Sequence, residues 1–468
     1  MTNFDVAIIG AGPAGYVAAI RLAQLGRRVV IIEAARVGGV CLNRGCIPVK
    51  ALLHSASIIR NAAEARVMGI SFPPPAIDIV SLGSWKARIV ERLARGIEFL
   101  FKSNGVELIR GRAQILSPTR IKVAGAEETE IAARIVVVAT GSEPAVLPGL
   151  VVDHRQVIDS NSALNLVELP RTLVVIGAGA VGLEFATIFN RLGVKVTVLE
   201  VCDQILPGID SEIAGLLQRQ MEQEGIEFKL GVKGVSCQPA VNTPEAKVCW
   251  EERNEQLTMG ADKVLVAVGR KPMSENLGLL ELGIKLNAQG FILTDGWFET
   301  NVRGIYAIGD VRGGMLLAHK AMHEGLMLAE NLGKEKRAGG LQVPAIPMVV
   351  YTDPEFAAVG LSADQAEKQG IKVRVSRVPL TALGRPLTLG RAQGLCKVVA
   401  EEKSYRILGV SILAPQADVL IAEAAVAVEL GLTAEQLGRV VHPHPTMSEL
   451  LFEASQAVLG SAIHILNR

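Results

Sequence analysis

Short apolar runs that end in a glycine turn recur along this chain. They include residues 6–9, 135–138, 174–176 and 264–266, none of which alternates with polar residues. A run that is apolar at every position is typical of a parallel strand covered on both faces, whereas a half-exposed strand would alternate. Between these runs apolar residues recur at helical spacing, as in residues 84–103. The pattern predicts an α/β protein in which helices cover parallel strands.

The N-terminal glycine motif occurs a second time further along the chain. The first copy reads Gly-Ala-Gly-Pro-Ala-Gly from Gly10, and the second reads Gly-Ala-Gly-Ala-Val-Gly from Gly177. In each copy a strand precedes the glycines, and a helix and a second strand follow. That second strand ends in Glu33 or Glu200, in both cases 23 residues after the first glycine. A single glycine motif is weak evidence, but the repeated order predicts two dinucleotide-binding folds.

Each position of this motif has a physical reason in dinucleotide binding. One glycine makes the turn, another lets a pyrophosphate approach the backbone, and the third permits close packing of helix on strand. The helix N-terminus then attracts the phosphates. The acid can accept hydrogen bonds from ribose hydroxyls, and at Glu200 it would repel the 2′-phosphate of NADP, so we expect NAD. The alternative is a pair of structural turns. The predicted contacts are Gly10, Gly12, Gly15 and Glu33 in the first fold, and Gly177, Gly179, Ala180, Val181, Gly182 and Glu200 in the second.

Two cysteines five residues apart follow the first acid. Cys41 and Cys46 belong to the segment Gly-Gly-Val-Cys-Leu-Asn-Arg-Gly-Cys-Ile-Pro-Val-Lys, which begins at Gly38. In a regular helix their Cα atoms would be roughly 8 to 9 Å apart, beyond the limit of roughly 7 Å for a disulfide. The backbone must therefore bend, and Gly45 and Pro48 are the residues that allow it. We predict a reducible, solvent-reachable disulfide; the alternative is two unrelated buried thiols.

Composition and charge limit the class of protein. The 468 residues are 49% hydrophobic and 20% charged, so we expect several domains with substantial cores. Lys and Arg total 48 against 47 Asp and Glu, a balance that favours neither nucleic acid nor an anionic membrane as a partner. No apolar stretch approaches the roughly 20 residues needed to span a bilayer, and no secretory signal precedes the first strand. We expect a soluble, cytoplasmic protein. No metal is expected, because the other cysteines lack metal-ligand spacing; they are Cys202, Cys237, Cys249 and Cys396.

The order of strands and turn residues divides the chain into domains. Residues 300–310 read as a strand that ends in Asp310, an acid suited to a ribityl or phosphate-linked hydroxyl, so the first domain is expected to resume after the second. The periodicity changes near Pro344 and Pro347, which mark a linker. The predicted segments are 1–145 and 272–343 for the first dinucleotide domain, 146–271 for the inserted one, and 344–468 for a C-terminal α+β domain.

Several separated motifs together resemble the flavin disulfide reductase family, and within it the dihydrolipoamide dehydrogenases. They are the cysteine segment 38–50, the strand and acid at 300–310, Ala-His-Lys-Ala-Met-His-Glu-Gly at 318–325, and His-Pro-His-Pro-Thr-Met-Ser-Glu at 442–449. The resemblance covers essentially the whole chain. It implies an α/β fold with two Rossmann-like domains, one inserted in the other, plus a C-terminal α+β dimerisation domain. It also implies FAD in the first dinucleotide domain and NAD in the inserted one.

The resemblance implies a role for each candidate catalytic residue. Cys41 would exchange with a dithiol substrate, and Cys46 would face the flavin ring. His444 would act as the base, since deprotonating a thiol near neutral pH needs a group that titrates in that range, and Glu449 would orient it. The other implied cofactor positions are Gly39, Val40, Lys50, Ala113, Thr140, Gly141, Asp310 and Ala318 for FAD, and Glu184 and Gly269 for NAD.

Two candidate positions have alternative interpretations, and a third departs from the family pattern. Lys50 would pair with Glu184 and stabilise negative charge, although a solvated surface lysine is the simpler alternative. His442 invites interpretation as a metal ligand, but it lacks the further ligands of a closed site, so we assign it no catalytic role. Val49 departs from the family pattern, which usually has serine there, and this change is expected to retune the flavin site.

The implied reaction is oxidation of protein-bound dihydrolipoamide with reduction of NAD+. The implied partners are a second copy of the chain, with the partner's His444 completing the active site, and a lipoyl-bearing protein of a 2-oxo acid dehydrogenase or glycine cleavage complex. An NADPH-driven glutathione or mercury reductase is disfavoured by Glu200 and by the absence of a C-terminal cysteine pair. A transhydrogenase would lack the paired thiols. A non-catalytic subunit of a complex is disfavoured by the intact catalytic residues.

Overall fold

Apolar runs form the strands of the first domain, and segments of helical spacing form its helices. The structure is a computed structural model that describes residues 2–239, 245–332, 334 and 345–467. The first elements are β1 (Thr2–Ile9), α1 (Pro13–Gln24), β2 (Val29–Glu33), α2 (Gly39–Arg44), α3 (Cys46–Glu64), α4 (Ile79–Asn104), β3 (Glu107–Arg110), β4 (Arg112–Ser117), β5 (Arg120–Ala124), β6 (Glu128–Val138) and β7 (Ser142–Pro144).

The long strand β6 joins two kinds of sheet. β1 pairs in parallel with β2 and with the second half of β6, and β2 pairs in parallel with β3. The first half of β6 forms an antiparallel meander with β4 and β5. Val6 and Ile8 face a core that includes residues of α1 and of the later helix 318–331, whereas Ala7 and Ile9 face residues of the meander. Because both faces are covered, the strand is apolar at each of these positions.

The second domain repeats this arrangement. Its elements are β8 (Val157–Ile158), α5 (Ser160–Ala163), β9 (Thr172–Ile176), α6 (Ala180–Arg191), β10 (Lys195–Glu200), α7 (Ser211–Gln223), β11 (Glu227–Leu230), β12 (Lys233–Gln238), β13 (Ala246–Glu252), β14 (Glu255–Ala261) and β15 (Lys263–Val266). A parallel sheet in the order β11-β10-β9-β15-β8 carries a separate antiparallel meander, β12-β13-β14.

The chain returns to the first domain after the second. β16 (Arg270–Pro272) pairs with β7, so the outgoing and returning segments form one antiparallel ribbon. β17 (Ile305–Ala307) then adds to the first sheet in parallel with β6, and α8 (Ala318–Asn331) packs on α1. The predicted fold class, in which one dinucleotide-binding domain is inserted in the other, is confirmed.

An antiparallel sheet with helices forms the C-terminal domain. Its elements are β18 (Met348–Val350), β19 (Glu355–Gly360), α9 (Ala363–Lys368), β20 (Val373–Pro379), α10 (Gly384–Thr388), β21 (Leu395–Glu401), β22 (Ile407–Ala414), α11 (Ala417–Glu429), α12 (Ala434–Leu437) and α13 (Glu449–Val458). The strand order is β18-β19-β22-β21-β20, with α11 packed on β19 and β22 and α13 packed on β20 and β21. The predicted boundary between residues 343 and 344, and Pro344 itself, lie outside the described residues.

The helices are short or carry charged faces. Within the part of the chain that the structure describes, none is both long and apolar enough to cross a membrane.

Candidate functional site

The two glycine turns have nearly the same backbone geometry. Gly10 has φ of 104° and Gly177 has φ of 105°, a conformation that favours glycine. A Cβ added at Gly15 would lie 1.9 Å from the carbonyl oxygen of Gly10, and one at Gly182 would lie 1.9 Å from that of Gly177. The third glycine is therefore required for contact between helix and turn in both domains.

The two acids are also held alike. In each domain the carboxylate accepts one N–H from the residue after the first glycine and another from the residue two positions beyond the acid. This places a fixed carboxylate beside the glycine turn, within reach of a nucleotide ribose. The donor distances are 2.7 and 2.8 Å from Ala11 and Ala35 to Glu33, and 2.7 and 3.0 Å from Ala178 and Cys202 to Glu200.

A cavity of about 460 Å³ opens on the second glycine turn. Two residues that were predicted to contact NAD do not line this cavity. Gly182 packs on Gly177, and Glu184 turns towards Lys50. Its apolar wall includes Pro144, the last residue of β7, and Leu147 and Leu150 beyond that strand, none of which the sequence pattern indicated. The predicted positions that do line it are Gly177, Gly179, Ala180, Val181, Glu200 and Gly269.

The cysteine segment packs directly on the first glycine turn. A Cβ at Gly39 would lie 2.6 Å from the Cα atom of Gly12, and the N–H of Gly38 donates to the carbonyl oxygen of Ala11 at 2.8 Å. Glycine at position 39, with φ of 60°, allows this approach. Val40, the next residue, lies half-buried in α2.

The residues around the first turn fit FAD. The N-terminus of α1 and the glycine turn can hold a pyrophosphate, and the ordered carboxylate of Glu33 can hold an adenosine ribose. Asp310 lies in a 3₁₀ turn just after β17, and its Oδ2 accepts a hydrogen bond from the Ser142 hydroxyl at 2.5 Å. Thr140 and Gly141 directly precede Ser142, and the Thr140 hydroxyl donates to the carbonyl oxygen of Met273 at 2.6 Å. The other two predicted flavin positions are Ala113, buried within β4, and Ala318, which begins α8.

A break between two helices brings the cysteines together. α2 ends at Arg44, Gly45 adopts φ −145° and ψ −120°, and α3 begins at Cys46. The expected interruption at Pro48 is wrong, because α3 continues through this residue to Glu64. Pro48 is the third residue of the helix, where a backbone N–H has no partner within the helix. Gly45 therefore provides the bend.

The two thiols differ in acidity. Both are free thiols here, hydrogen-bonded to each other, with Cys41 half-buried and Cys46 exposed. The hydrogen bond from Cys41 and the positive charge of Lys50 together outweigh the cost of partial desolvation and lower the pKa of Cys46 to about 7. The same hydrogen bond, together with burial, raises the pKa of Cys41 above its usual range. At neutral pH the negative charge of the reduced pair therefore lies mainly on Cys46.

Lys50 is held by residues of the two other domains. Its Nζ donates to Oε1 and Oε2 of Glu184 at 2.8 and 2.9 Å and lies 4.3 Å from the centre of the Tyr351 ring. The N–H of Tyr351 also donates to Glu184, at 3.1 Å. Tyr351 is a residue that sequence reasoning missed, because it lies far along the chain in no motif. The geometry excludes the interpretation of Lys50 as a freely solvated surface lysine.

Val49 packs away from the polar groups beside it. It is 6% exposed and belongs to an apolar cluster that includes Phe185 of the inserted domain and Val350 and Phe356 of the C-terminal domain. Leu52 joins the same cluster, so the helix that carries Cys46 and Lys50 is fixed to both neighbouring domains. A valine here adds apolar contact between domains.

The histidine segment places the predicted base next to its predicted orienting acid. Nδ1 of His444 lies 2.9 Å from Oε1 of Glu449, and the N–H of Thr446 donates to Oε2 at 2.8 Å. Burial acts to raise the pKa of Glu449, but these hydrogen bonds outweigh it, so the pKa lies below its usual range. The His444 side chain is 77% exposed, so its other nitrogen can reach a substrate.

His442 has a different environment from His444. Its Nε2 lies 2.9 Å from Glu423, its Nδ1 lies 3.0 Å from the carbonyl oxygen of Val440, and the side chain is buried. Nowhere among the described residues do three or more His, Cys, Asp or Glu side chains gather in a way that could hold a metal ion. The contacts of His442 are those of a structural histidine.

The architecture and this site define a class of redox enzyme. A family model described as pyridine nucleotide-disulphide oxidoreductase matches residues 4–325, and the dimerisation domain of the same family matches residues 346–455. The chain therefore belongs to the pyridine nucleotide-disulphide oxidoreductase family. The predicted family is confirmed, and the dimerisation domain supports a homodimer.

Several relatives and solved structures match this chain over nearly its whole length. The dihydrolipoyl dehydrogenase of Thermus scotoductus is 46% identical over 469 residues, covering 100% of both chains. The mitochondrial dihydrolipoyl dehydrogenase of Pisum sativum is 41% identical, covering 98% of this chain and 92% of the relative. Among solved structures, LpdA from Mycobacterium tuberculosis matches with a TM-score of 0.89 at 26% identity, covering 97% of this chain and 99% of that one. The HOCl-induced flavoprotein disulfide reductase RclA from Escherichia coli matches with a TM-score of 0.86 at 28% identity, with the same coverage.

Proposed function

We propose that this chain catalyses the oxidation of protein-bound dihydrolipoamide to lipoamide, with FAD as its bound cofactor and NAD+ as the electron acceptor. The observation that carries the proposal is a pair of adjacent thiols of unlike acidity, Cys41 and Cys46, packed on a glycine turn that fits FAD. The domain that contributes Glu184 to this site also contains the cavity that fits NAD. The full-length similarity to dihydrolipoyl dehydrogenases supports the choice of substrate.

The difference in pKa between the two cysteines determines which sulfur of the disulfide is attacked and which one leaves. A substrate thiolate attacks the sulfur of Cys41 in the oxidised pair, the S–S bond breaks, and Cys46 leaves as a thiolate. A thiol of lower pKa is the better leaving group, and Cys46 has the lower pKa of the two. The second substrate thiolate then attacks the mixed disulfide at the substrate sulfur. The products are the oxidised substrate and two reduced cysteines, so two electrons have moved to the pair.

Base catalysis supplies the attacking thiolates. His444, oriented by Glu449, accepts the proton of the first substrate thiol, releases it to solvent, and then accepts the proton of the second. The Cys41 sulfur takes up a proton as it leaves the mixed disulfide. The Glu449 carboxylate stabilises the imidazolium that forms, as the acid does in hydrolase triads. In the proposed homodimer this base is the partner's His444, and the site is shared across the interface.

The charged groups around Cys46 also suit this sulfur to electron transfer towards a flavin. The glycine turn at Gly10, with Glu33 and Asp310, would hold FAD, which would supply the two-electron relay between the reduced cysteine pair and NAD+. The Lys50 ammonium keeps the Cys46 sulfur negative, and Glu184 and the Tyr351 ring hold that ammonium in place. In the inserted domain, Glu200 favours NAD over NADP, since a carboxylate repels the 2′-phosphate.

The lipoyl group is supplied by a separate protein of a 2-oxo acid dehydrogenase or glycine cleavage complex. We place the enzyme in the cytoplasm, because the four cysteines outside the Cys41–Cys46 pair are all free thiols, as is usual in a reducing compartment.

An anaerobic titration of the purified holoprotein tests the proposed function. Free dihydrolipoamide should bleach the flavin absorbance, and NAD+ added next should restore it, whereas NADP+ should restore it far more slowly. Cys46→Ser holoprotein should keep its flavin colour but show no bleaching by dihydrolipoamide. Failure of dihydrolipoamide to reduce wild-type flavin, with reduction by NADPH and reoxidation by glutathione disulfide, would indicate a different disulfide reductase.

A further inference from the structure

The two segments that connect the nucleotide-binding domains are joined along their length. In the ribbon of β7 and β16, Ser142 lies opposite Pro272 and Glu143 lies opposite Lys271. Backbone bonds continue at both ends, from Met273 N–H to the Gly141 oxygen at 3.0 Å and from Ala145 N–H to the Gly269 oxygen at 3.0 Å. Gly141 was predicted to contact FAD and Gly269 to contact NAD, so this ribbon runs from one nucleotide site to the other.

The side chain of Arg270, the first residue of β16, is hydrogen-bonded to the facing strand β7. Its Nε donates to the Ser142 hydroxyl at 2.7 Å, and its Nη2 donates to the Ser142 carbonyl oxygen at 2.5 Å. The hydroxyl uses its single proton to donate to Asp310 at 2.5 Å. Ser142 is 1% exposed, so these bonds are shielded from water. A continuous hydrogen-bond chain therefore runs from the Arg270 guanidinium to the carboxylate of Asp310.

The same guanidinium belongs to the second nucleotide site. Arg270 lines the cavity that also contains the glycine turn at Gly177 and Glu200, whereas Ser142 does not line it. Burial lowers the pKa of Arg270, and the negative charges of Asp310 and Cys46 oppose this effect. Because arginine remains protonated in proteins, the site contains a desolvated cation with the acid and the reactive sulfur close by.

We propose that Arg270 is a positioning residue shared by the two nucleotide sites: clamped by Ser142, it shapes the wall of the NAD cavity and holds Asp310 in the orientation that binds FAD. The proposal rests on the assignment of FAD to the first domain and NAD to the second. It predicts that the bonds at Ser142 affect both cofactors, although Ser142 itself lies outside the NAD cavity.

The shape of the guanidinium is essential to this role. Nε and Nη2 are held in one plane and reach two different oxygens of Ser142 together. Lysine keeps the positive charge but is a point donor on a flexible stem, so it cannot reproduce that fork. Arg270→Lys therefore separates positioning from charge.

Cofactor binding by the holoprotein tests the proposal. The variants are Arg270→Lys, Ser142→Ala and the double variant, and the matched control is Lys271→Met. Lys271 lies on the same ribbon, in a pair with Glu143 at 3.1 Å in which the side chains are 44% and 45% exposed.

Each single variant should raise the dissociation constants of both FAD and NADH by about tenfold. Flavin fluorescence measures the first constant, and equilibrium titration measures the second. The double variant should lose little more than either single variant, since both remove the same link. The control should leave both constants unchanged.

Several outcomes would overturn the proposal. Wild-type constants in Arg270→Lys would mean that charge alone matters, and losses that add in the double variant would mean that the two residues act independently. A lower melting temperature with unchanged constants would indicate a purely structural role. If Ser142→Ala does not fold, Asp310→Asn replaces it; unchanged NADH binding in that variant would also contradict the link. These measurements use no dithiol, so they remain informative if the proposed substrate is wrong.

Discussion

A single hydrogen bond distinguishes the two thiols of the redox pair. Cys41 donates to Cys46, and this stabilises the negative form of one sulfur at the expense of the other. Nothing in the residue type or the five-residue spacing sets this direction. It follows from the break at Gly45, which places Cys46 at the start of a helix and within reach of Lys50. At the residue scale, environment therefore assigns the chemical roles.

Removing the donor should make Cys46 less acidic. In the reduced protein, Cys41→Ala should move the midpoint of Cys46 alkylation from pH about 7 towards the ordinary thiol value of about 8.5. The sign follows because the lost bond favours only the charged form, so the thiolate fraction at neutral pH falls. Iodoacetamide labelling of the Cys46 peptide across pH, read by mass spectrometry, measures the shift. Cys396→Ala is the control, since that thiol is fully buried and takes no part in the pair. An unchanged midpoint in Cys41→Ala would contradict the assignment.

Nucleotide preference should depend on Glu200. Glu200→Gln removes the charge that repels a 2′-phosphate and weakens the bond from Ala178, which is 2.7 Å long. We expect KM for NAD+ to rise about tenfold and the ratio of kcat/KM for NADP+ to that for NAD+ to increase. Glu227→Gln on the neighbouring strand should change neither value. Equal use of the two nucleotides by the wild type would remove the basis of this prediction.

At the scale of elements, caps and breaks set the boundaries that periodicity predicts only approximately. The helical pattern at 84–103 belongs to a longer helix, Ile79–Asn104, which starts where the Asp78 carboxylate accepts the N–H groups of Val80 and Ser81. It ends at Gly105, which has φ of 72°. In α3 the proline that was expected to break the helix lies in its first turn instead. Local chemistry at the ends, more than the apolar spacing, decides where each helix stops.

Substitutions at two glycines of the second turn should have different effects, one on folding and the other on nucleotide binding. Gly182→Ala forces a Cβ to within 1.9 Å of a backbone oxygen, so it should reduce the free energy of unfolding by about 1–3 kcal/mol. At Gly179 no atom lies within 4 Å of an added Cβ and φ is −75°, so Gly179→Ala should fold normally. Because Gly179 lines the cavity, its added methyl group should still weaken NADH binding.

Denaturant unfolding and NADH titration of both glycine variants provide the check. A Gly182→Ala protein as stable as Gly179→Ala would show that the close contact between helix and turn relaxes at no cost.

At the scale of the whole molecule, polar contacts fix the three domains around α3, the helix that carries Cys46 and Lys50. Lys86 of α4 is buried and donates to the carbonyl oxygen of Leu164 in the inserted domain. Lys397 of the C-terminal domain contacts Asp210 at 2.5 Å and Glu212 at 2.8 Å at the start of α7. Removing one partner from such a buried pair is costly, because the remaining charge stays desolvated. These contacts, with the cluster around Val49, hold Lys50 and Glu184 together.

Subunit complementation should reveal whether the active site is shared. In co-expressed His444→Ala and Cys46→Ser chains, a site with Cys46 from one chain and His444 from the other remains intact. Random pairing should then yield about a quarter of wild-type activity, since half the dimers are hybrid and each has one working site. Each variant expressed alone should be inactive. Purified hybrid dimers that lack activity would show that each chain supplies its own base.

The sequence by itself determined the features that depend on neighbours along the chain. Unbroken apolar runs, glycine spacing and the acid 23 residues later specify a strand, turn, helix and second strand, because their physics lies within one unit of the fold. Position in the chain likewise revealed the repeat, the insertion of one domain in another, and the cysteine pair.

Only the tertiary structure decided which distant groups meet. Lys50 and Glu184 are 134 residues apart, and Arg270 and Ser142 are 128 apart, so no local pattern relates them. Tyr351 reaches Lys50 of α3 from a third domain, and the acidity of Cys46 depends on that assembled environment. Hydrogen bonds and charge effects act over a few ångströms, and folding, rather than spacing in the chain, brings these side chains within that range.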